Sequence, residues 1–212
     1  FRSVLDVGCA RGTWVQAWRN VGVKDVFGVD GPYAAGDRLA IEPERFLATD
    51  LAQPFDLQRR FDLVQSLEVA EHIPLKSAES FIDNLVRHTN GAVLFSAAPP
   101  GQGGEFHVNE QPYEFWRAKF AQRGFAAYDC LRPLLAGDRA VCFWYRFNPI
   151  MYISDKYGPN ISEAIRSTRI ADGEAIHDVA PLWFKARRAL VQTLPFPWQQ
   201  GLARLKARLS SR

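Results

Sequence analysis

Four side chains with acid–base and metal-binding chemistry fall in two short stretches of this chain. Glu68, Glu71 and His72 stand at i, i+3 and i+4, so one helical turn puts all three on one face. His107 comes later, inside Gly103-Gly104-Glu105-Phe106-His107-Val108-Asn109-Glu110. Two carboxylates with imidazoles suit a hard or borderline divalent ion, which makes Glu68, Glu71, His72 and His107 metal candidates. Without an ion, His72 or His107 can take the proton of a substrate hydroxyl, because imidazole titrates near neutral pH. In the plainest reading Glu68 lines the cofactor pocket and His72 simply opens a helix. His88 and His177 have no such neighbours and read as surface residues.

A second set suits a nucleotide-like ligand. From Val4 to Trp14 a buried strand breaks into the turn Gly8-Cys9-Ala10-Arg11-Gly12 and then opens a helix. Glycines let backbone approach a ligand closely, and a helix N-terminus presents unpaired N–H groups. Asp30 lies 18 residues past Gly12, at the end of the next strand, where a carboxylate can accept both ribose hydroxyls. Asp50 closes a third strand, placed to bond an adenine amino group, and Ser66-Leu67-Glu68 closes a fourth. Ligands of open α/β sheets sit beyond the carboxyl ends of the strands, so these residues belong to one rim. Cys9 and Ser66, as rim residues, join the ligand-lining candidates.

The elements that must position these groups alternate. Strands are expected at residues 4–7, 26–29, 45–48, 61–66, 92–97, 125–132 and 141–147. Helices are expected at 13–21 with Thr13 as its cap, at 76–89, and at 112–123 led by a proline. The pattern predicts an α/β fold: a Rossmann-like, mostly parallel seven-stranded sheet with helices on both faces. The last two strands, joined around Gly137-Asp138, place one antiparallel strand at an edge. Residues 1–147 then form the main domain. Residues 148–212 form a basic, mostly helical extension, with helices at 161–169, 182–194 and 199–209. The segment Pro99-Pro100-Gly101-Gln102-Gly103-Gly104 reads equally as a lid over the site or as a turn-rich connection. Tyr113 and Trp116 follow it as substrate contacts or as core.

In this order, VLDVGCARGTW, VFGVDG, ATDLAQPF and FDLVQSLEVAEH resemble the class I S-adenosylmethionine-dependent methyltransferases over residues 1–147. The resemblance implies that Asp6, Gly8 and Gly12 shape the methionine end of the pocket. It further implies that Asp30 holds the ribose and that Asp50 and Leu51 frame the adenine. The family's turn usually carries a third glycine where Ala10 stands, so Ala10 is expected to keep a negative φ. A dinucleotide dehydrogenase competes for the turn alone; Ala10, Asp50 and Glu68 weigh against it. The E-x-x-E-H run with a later histidine is similar to the magnesium-binding residues of small-RNA 3′-end 2′-O-methyltransferases. It is also similar to a metal-supporting motif of ubiquinone-pathway O-methyltransferases. SLEVAEH followed by HVNEQPYEFW resembles bacterial enzymes found beside sugar and surface-polysaccharide machinery.

These resemblances imply an O-methyltransferase using S-adenosylmethionine, with Mg2+ or another divalent cation, on a hydroxyl of a small molecule or glycan. An RNA 2′-O-methyltransferase and a non-catalytic S-adenosylmethionine-binding subunit are the alternatives. The 212 residues carry a net charge of +3, yet Phe184 to Arg212 holds seven cations and no acid. The rest of the chain is therefore net acidic, which disfavours a nucleic-acid groove in the main domain. The basic end, with Phe196 and Trp198, suits an anionic membrane surface or a terminal helix with a solvated face. No run is long and apolar enough to be a transmembrane helix, and no leader pattern opens the chain. The chain starts almost inside its first strand, so residues upstream of Phe1 are expected. Three widely spaced cysteines form no framework, which fits a reducing, cytoplasmic compartment, peripheral to a membrane if the tail binds one.

Overall fold

A computed structural model describes residues 1–35, 39–158, 161–195, 197, 198 and 201. Seven strands form one sheet: β1 (Ser3–Val7), β2 (Asp25–Asp30), β3 (Phe46–Ala48), β4 (Leu63–Leu67), β5 (Ala92–Ser96), β6 (Phe125–Tyr128) and β7 (Ile150–Ser154). Their order is β3-β2-β1-β4-β5-β7-β6. Pairing is parallel throughout except around β7, which runs antiparallel to both β5 and β6. The chain winds outward from β1 to β3, then restarts at β4 on the other side of β1. That reversal leaves a crevice beyond the carboxyl ends of β1 and β4, where doubly wound sheets bind ligands.

Side chains alternate across the sheet with period two, and both faces are covered. Leu5, Val7, Val64, Val93, Phe95, Ile150 and Tyr152 enter one core, beneath α2 (Ala78–Arg87) and α3 (Tyr113–Ala121). Val4, Val26, Leu63, Met151 and Ile153 enter the other, together with Val15 of α1 (Thr13–Asn20). The α2 helix buries Ala78, Phe81, Ile82 and Leu85, spaced as an apolar stripe requires. Gly12, not Thr13, is the residue preceding α1, with φ 81° and no side-chain cap. Val15 is the buried residue of α1, while Trp14 and Val21 are exposed.

The seventh strand is not where the sequence pattern put it. After the one-turn helix α4 (Arg132–Leu135), residues 143–147 form a short helix, α5 (Phe143–Phe147), and the strand is Ile150–Ser154. A short aromatic run satisfies either period, and its surroundings decided the matter. As a helix it stacks Phe143 on Phe147 and on Phe184 of α7 (Leu182–Gln192), with centroids 6.0 and 5.3 Å apart. The antiparallel strand also lies inside the sheet, and β6 takes the edge.

The boundary at residue 148 therefore does not separate sheet from extension. After β7 the chain returns along β6, where Ile170 N–H donates to the Ala127 carbonyl at 2.9 Å. Ile176 is buried in the main core. The helix expected at 161–169 is reduced to one turn, α6 (Glu163–Arg166), and the one expected at 199–209 lies outside the described residues apart from residue 201. Among the described residues, no helix is long and apolar enough to cross a membrane.

The placement of β7 predicts the behaviour of a truncated chain. Residues 1–147 alone leave β5 and β6 without the strand that joins them. Urea unfolding followed by circular dichroism should show one cooperative transition for the full chain and none for the truncation. A cooperative transition in the short chain would show that β7 is dispensable.

Candidate active site

The first half of the crevice is built by the β1 turn. Gly8 and Cys9 both donate N–H to the Val29 carbonyl, which seats the turn on β2. Gly8 has φ 86°, and a Cβ there would overlap the Val69 side chain. Ala10 also adopts the left-handed region, at φ 48°, contrary to the negative φ expected of it. What holds it there is Asp30: Ala10 N–H donates to Asp30 Oδ2 at 2.6 Å. Asp30 Oδ1 accepts from Gly31 N–H and from the Tyr33 hydroxyl. A carboxylate has about four acceptor positions, so three donors leave room for a ribose hydroxyl.

Asp6 lies one pleat below this turn and is 2 % exposed. Its Oδ2 has no hydrogen-bond partner among the described residues. Burial pushes the carboxyl up to about 7, the neighbouring Asp30 charge adds to the rise, and the Gln65 amide offsets only part of it. A buried carboxylate short of a donor, beside a turn that bares its backbone, fits a ligand with an ammonium group.

The other candidates around this turn separate. The Cys9 thiol points into the core, where a Cβ on Gly28 would meet its sulfur, so only its backbone belongs to the turn. Ser66 is fully buried and its hydroxyl donates to the Val7 carbonyl at 2.8 Å, which ties β4 to β1 and takes the side chain out of the ligand-lining set. Asp50 is exposed, with Oδ1 accepting from Ala52 N–H at 2.9 Å, and the Leu51 side chain is buried in the main core. Gly12, at φ 81°, leaves no room for a Cβ beside Ile41.

The second half of the crevice follows β4 and β5. Glu71, His72 and His107 come together: one ligand atom from each lies within 4.8 Å of the others. The His72 and His107 rings meet edge to face, 4.8 Å between centroids. The Glu71 carbonyl accepts from Val108 and Asn109 N–H at 2.9 and 3.0 Å, which fastens the His107 segment beside it. Glu71 is 1 % exposed and its Oε2 has no partner among the described residues. Burial, with the nearby Glu68 and Glu110 charges, holds its carboxyl well above the usual range. Burial first, then His107, pushes the His72 imidazole below its usual value.

Glu68 does not join this group. It is left-handed at φ 57°, and its N–H donates to the Ser96 carbonyl and hydroxyl at 3.0 and 3.1 Å. Its carboxylate instead accepts from Gln102 Nε2 at 2.6 Å and from Asn148 Nδ2 at 3.0 Å. Asn148 Nδ2 also donates to Gln102 Oε1 at 2.9 Å, and the Tyr113 hydroxyl donates to Asn148 Oδ1 at 3.1 Å. The spacing rule failed because residues 70–72 alone form a single 3-10 turn, which puts Glu68 outside the helical repeat.

Glu110 carries a role that no motif announced. Its Oε1 accepts from Gly103 N–H and from His107 Nδ1, and its Oε2 from Gly101 N–H, each at 2.7 Å. Such a carboxylate–histidine pair fixes the ring tautomer and places the lone pair on Nε2. The histidine-to-glutamate spacing at i, i+3 was the available signal. Residues 99–104 are pinned to α7, because Arg187 and Gln192 donate to the Gln102 and Pro100 carbonyls. They form a fastened connection and not a loose lid. Trp116 is core, whereas Tyr113 reaches the Glu68 network. His177 is exposed as expected, but His88 is fully buried. It donates from Nδ1 to the Asn84 carbonyl and accepts Leu57 N–H at Nε2, so it braces the entry to β4.

The sequence profile of the methyltransferase-domain family matches residues 1–128, and the chain belongs to that family. It has the class I, S-adenosylmethionine-dependent methyltransferase fold and is an enzyme of that class. No curated protein matches the sequence. Among solved structures it is similar to magnesium protoporphyrin IX methyltransferase from Synechocystis with bound S-adenosylmethionine. That match has 18 % identity and a TM-score of 0.51, over 72 % of this chain and 70 % of that one. It is also similar to the sugar N-methyltransferase KedS8 from Streptoalloteichus, at 17 % identity and a TM-score of 0.53, over 72 % and 80 % of the two chains. A putative methyltransferase in complex with the Haloferax volcanii Trm112 activator matches at 16 % identity and a TM-score of 0.51, over 72 % and 82 %.

Two stability measurements check this geometry. Asp6 is raised from 3.8 to about 7, so the folded state holds its proton where the unfolded chain has lost it. Its contribution is complete below pH 4 and disappears as pH rises through 7. Asp6→Asn should therefore gain stability over wild type between pH 4 and pH 8, by about 2–4 kcal/mol. Urea titrations of both proteins at the two pH values read this directly, and parallel pH dependences would refute it. Ala10→Gly should stabilise the ligand-free protein by about 1 kcal/mol, because glycine takes positive φ without the steric cost. A loss of stability would show that Ala10 does not sit at positive φ.

Proposed function

We propose that the chain is an O-methyltransferase acting on a hydroxyl of a small molecule or glycan, with a divalent cation at Glu71, His72 and His107. The observation that carries this reading is that cluster itself, three potential ligand atoms within 4.8 Å. Glu71 adds a buried carboxyl oxygen with no hydrogen-bond partner among the described residues, which a cation would satisfy. The donor set, one carboxylate and two imidazoles, suits a borderline or hard ion.

S-adenosylmethionine supplies a methyl group on a sulfonium. Transfer to an acceptor oxygen then requires in-line alignment and removal of the hydroxyl proton. In this reading Asp6 faces the methionine ammonium, Asp30 accepts one ribose hydroxyl at its remaining acceptor position and the exposed Asp50 turn borders the adenine. With no ion bound, His107, oriented by Glu110, or His72 would accept that proton; an ion on the same imidazoles would take their lone pairs, and its part would be to acidify the hydroxyl instead. A cation bound to Glu71, His72 and His107 would lower the pKa of the acceptor hydroxyl. Glu68, held by two side-chain amides, positions residues 102 and 148 and is left out of the ligand set.

The protein is proposed to work in the cytoplasm. The outward side of α7 exposes Leu182 and Leu190, with Trp198 beyond it, which supports peripheral contact with an anionic membrane through the basic segment.

Calorimetric titration with S-adenosylmethionine is the first test, and absence of binding would sink the reading. Methyl transfer to hydroxyl-bearing sugars and phenols, and to RNA, is then compared with and without chelator. Glu71→Ala should lower the rate at least about 100-fold while leaving cofactor affinity within a factor of about two. Full activity under chelation would remove the cation, and transfer to RNA alone would replace the acceptor class.

A further inference from the structure

The α5 helix joins the crevice to a second feature. Its Tyr145 ring meets Trp14, at the start of α1, edge to face with 5.4 Å between centroids. Its C-terminal neighbour Asn148 reaches Glu68. The outer side of the same helix lines a cavity of about 580 Å³, a volume suited to a small-molecule ring. The cavity is open to solvent and is lined by Arg139, Phe143, Trp144 and Arg146 on one side and by Pro181 and Trp183, at the start of α7, on the other.

The chemistry of this lining has one sign. Two arginines face the cavity and no acid does. Arg139 is exposed and pairs with no acid among the described residues. Arg146 lies over the Phe143 and Phe147 rings, 5.6 and 4.8 Å from their centroids, and donates to the Ala136 carbonyl. Its Nε is buried without a partner. The aromatic side chains supply flat apolar walls, with Phe143 and Trp183 edge to face at 5.1 Å. An arginine held by aromatic rings is partly desolvated, which strengthens its attraction for an anion.

We propose that this cavity is a ligand site of its own, and that its ligand is a ring bearing a carboxylate or phosphate. Arg139 and Arg146 take the anionic group, and Trp144 and Trp183 cover the ring face. This site is separate from the methyl-transfer reading, because none of its lining residues belongs to the Glu71, His72 and His107 cluster. A uronic acid, a sugar phosphate and a hydroxylated aromatic acid share that chemistry.

The test is binding to the full chain, read by tryptophan fluorescence and ligand-observed NMR, with S-adenosylmethionine titrated separately. The probes are glucuronate, glucose 6-phosphate and 4-hydroxybenzoate, with glucose as the neutral control. At least one charged probe should bind saturably, about tenfold or more tighter than glucose. Arg139→Ala and Trp183→Ala, both at exposed positions, should each weaken it about tenfold and leave cofactor affinity unchanged. Binding of the sugar acids alone, or of the aromatic acid alone, decides between the two sources. If no charged probe binds, or if neither substitution weakens binding, the proposal is overturned. Cofactor binding with no charged probe bound would leave the methyltransferase reading standing alone.

Discussion

One carboxylate, Glu110, sets the geometry of the reactive end of this protein. It accepts two backbone N–H groups from residues 101 and 103 and the ring N–H of His107. The loop after β5 is thereby closed on itself, and His107 is brought to Glu71 and His72. The same closure delivers Gln102 to Glu68 and Asn148. Charge-assisted bonds from three donors give a fixed shape to a segment that is rich in glycine and proline and would otherwise be costly to order. Glycine 104 belongs to the same device, since a Cβ there would overlap the His107 ring.

The opposite wall of the crevice depends on a different economy of space. Val69, directly after the left-handed Glu68, packs where Gly8 has no side chain. The turn after β1 and the turn after β4 therefore interlock, and Asp30 holds the first of them by its bond to Ala10. Two buried carboxyls, Asp6 and Glu71, each keep one oxygen without a partner. They stand on the two sides of the switch point, one suited to an ammonium and the other to a cation. Burying acids in this way costs stability, which is the pattern expected where function and not folding has chosen the residue.

Much of this was legible in the amino-acid order. Apolar runs ending in glycine or acid located β1 to β5 within a few residues, and strand ends in an α/β sheet necessarily share a rim. Glu71, His72 and His107 could be chosen because few residue types bind metal or move protons at neutral pH. Glu68 was grouped with them by helical spacing that a single 3-10 turn does not provide. His88 looked unsupported in sequence because its partners, Leu57 and Asn84, reach it through the backbone. Asn148 and Gln102 gave no local signal, since their function is a contact across 46 residues of chain.

The sequence by itself determined the main strands and helices up to β6, the identity of the turn after β1 and the family, because these follow from local periodicity and short-range residue chemistry. Only the tertiary structure decided that residues 143–147 form a helix and that 150–154 enter the sheet. A short aromatic run suits both conformations, and packing against Phe184 is what separates them. Tertiary structure likewise decided that Ala10 takes positive φ, because the bond to Asp30 offsets a local cost that propensity alone would forbid.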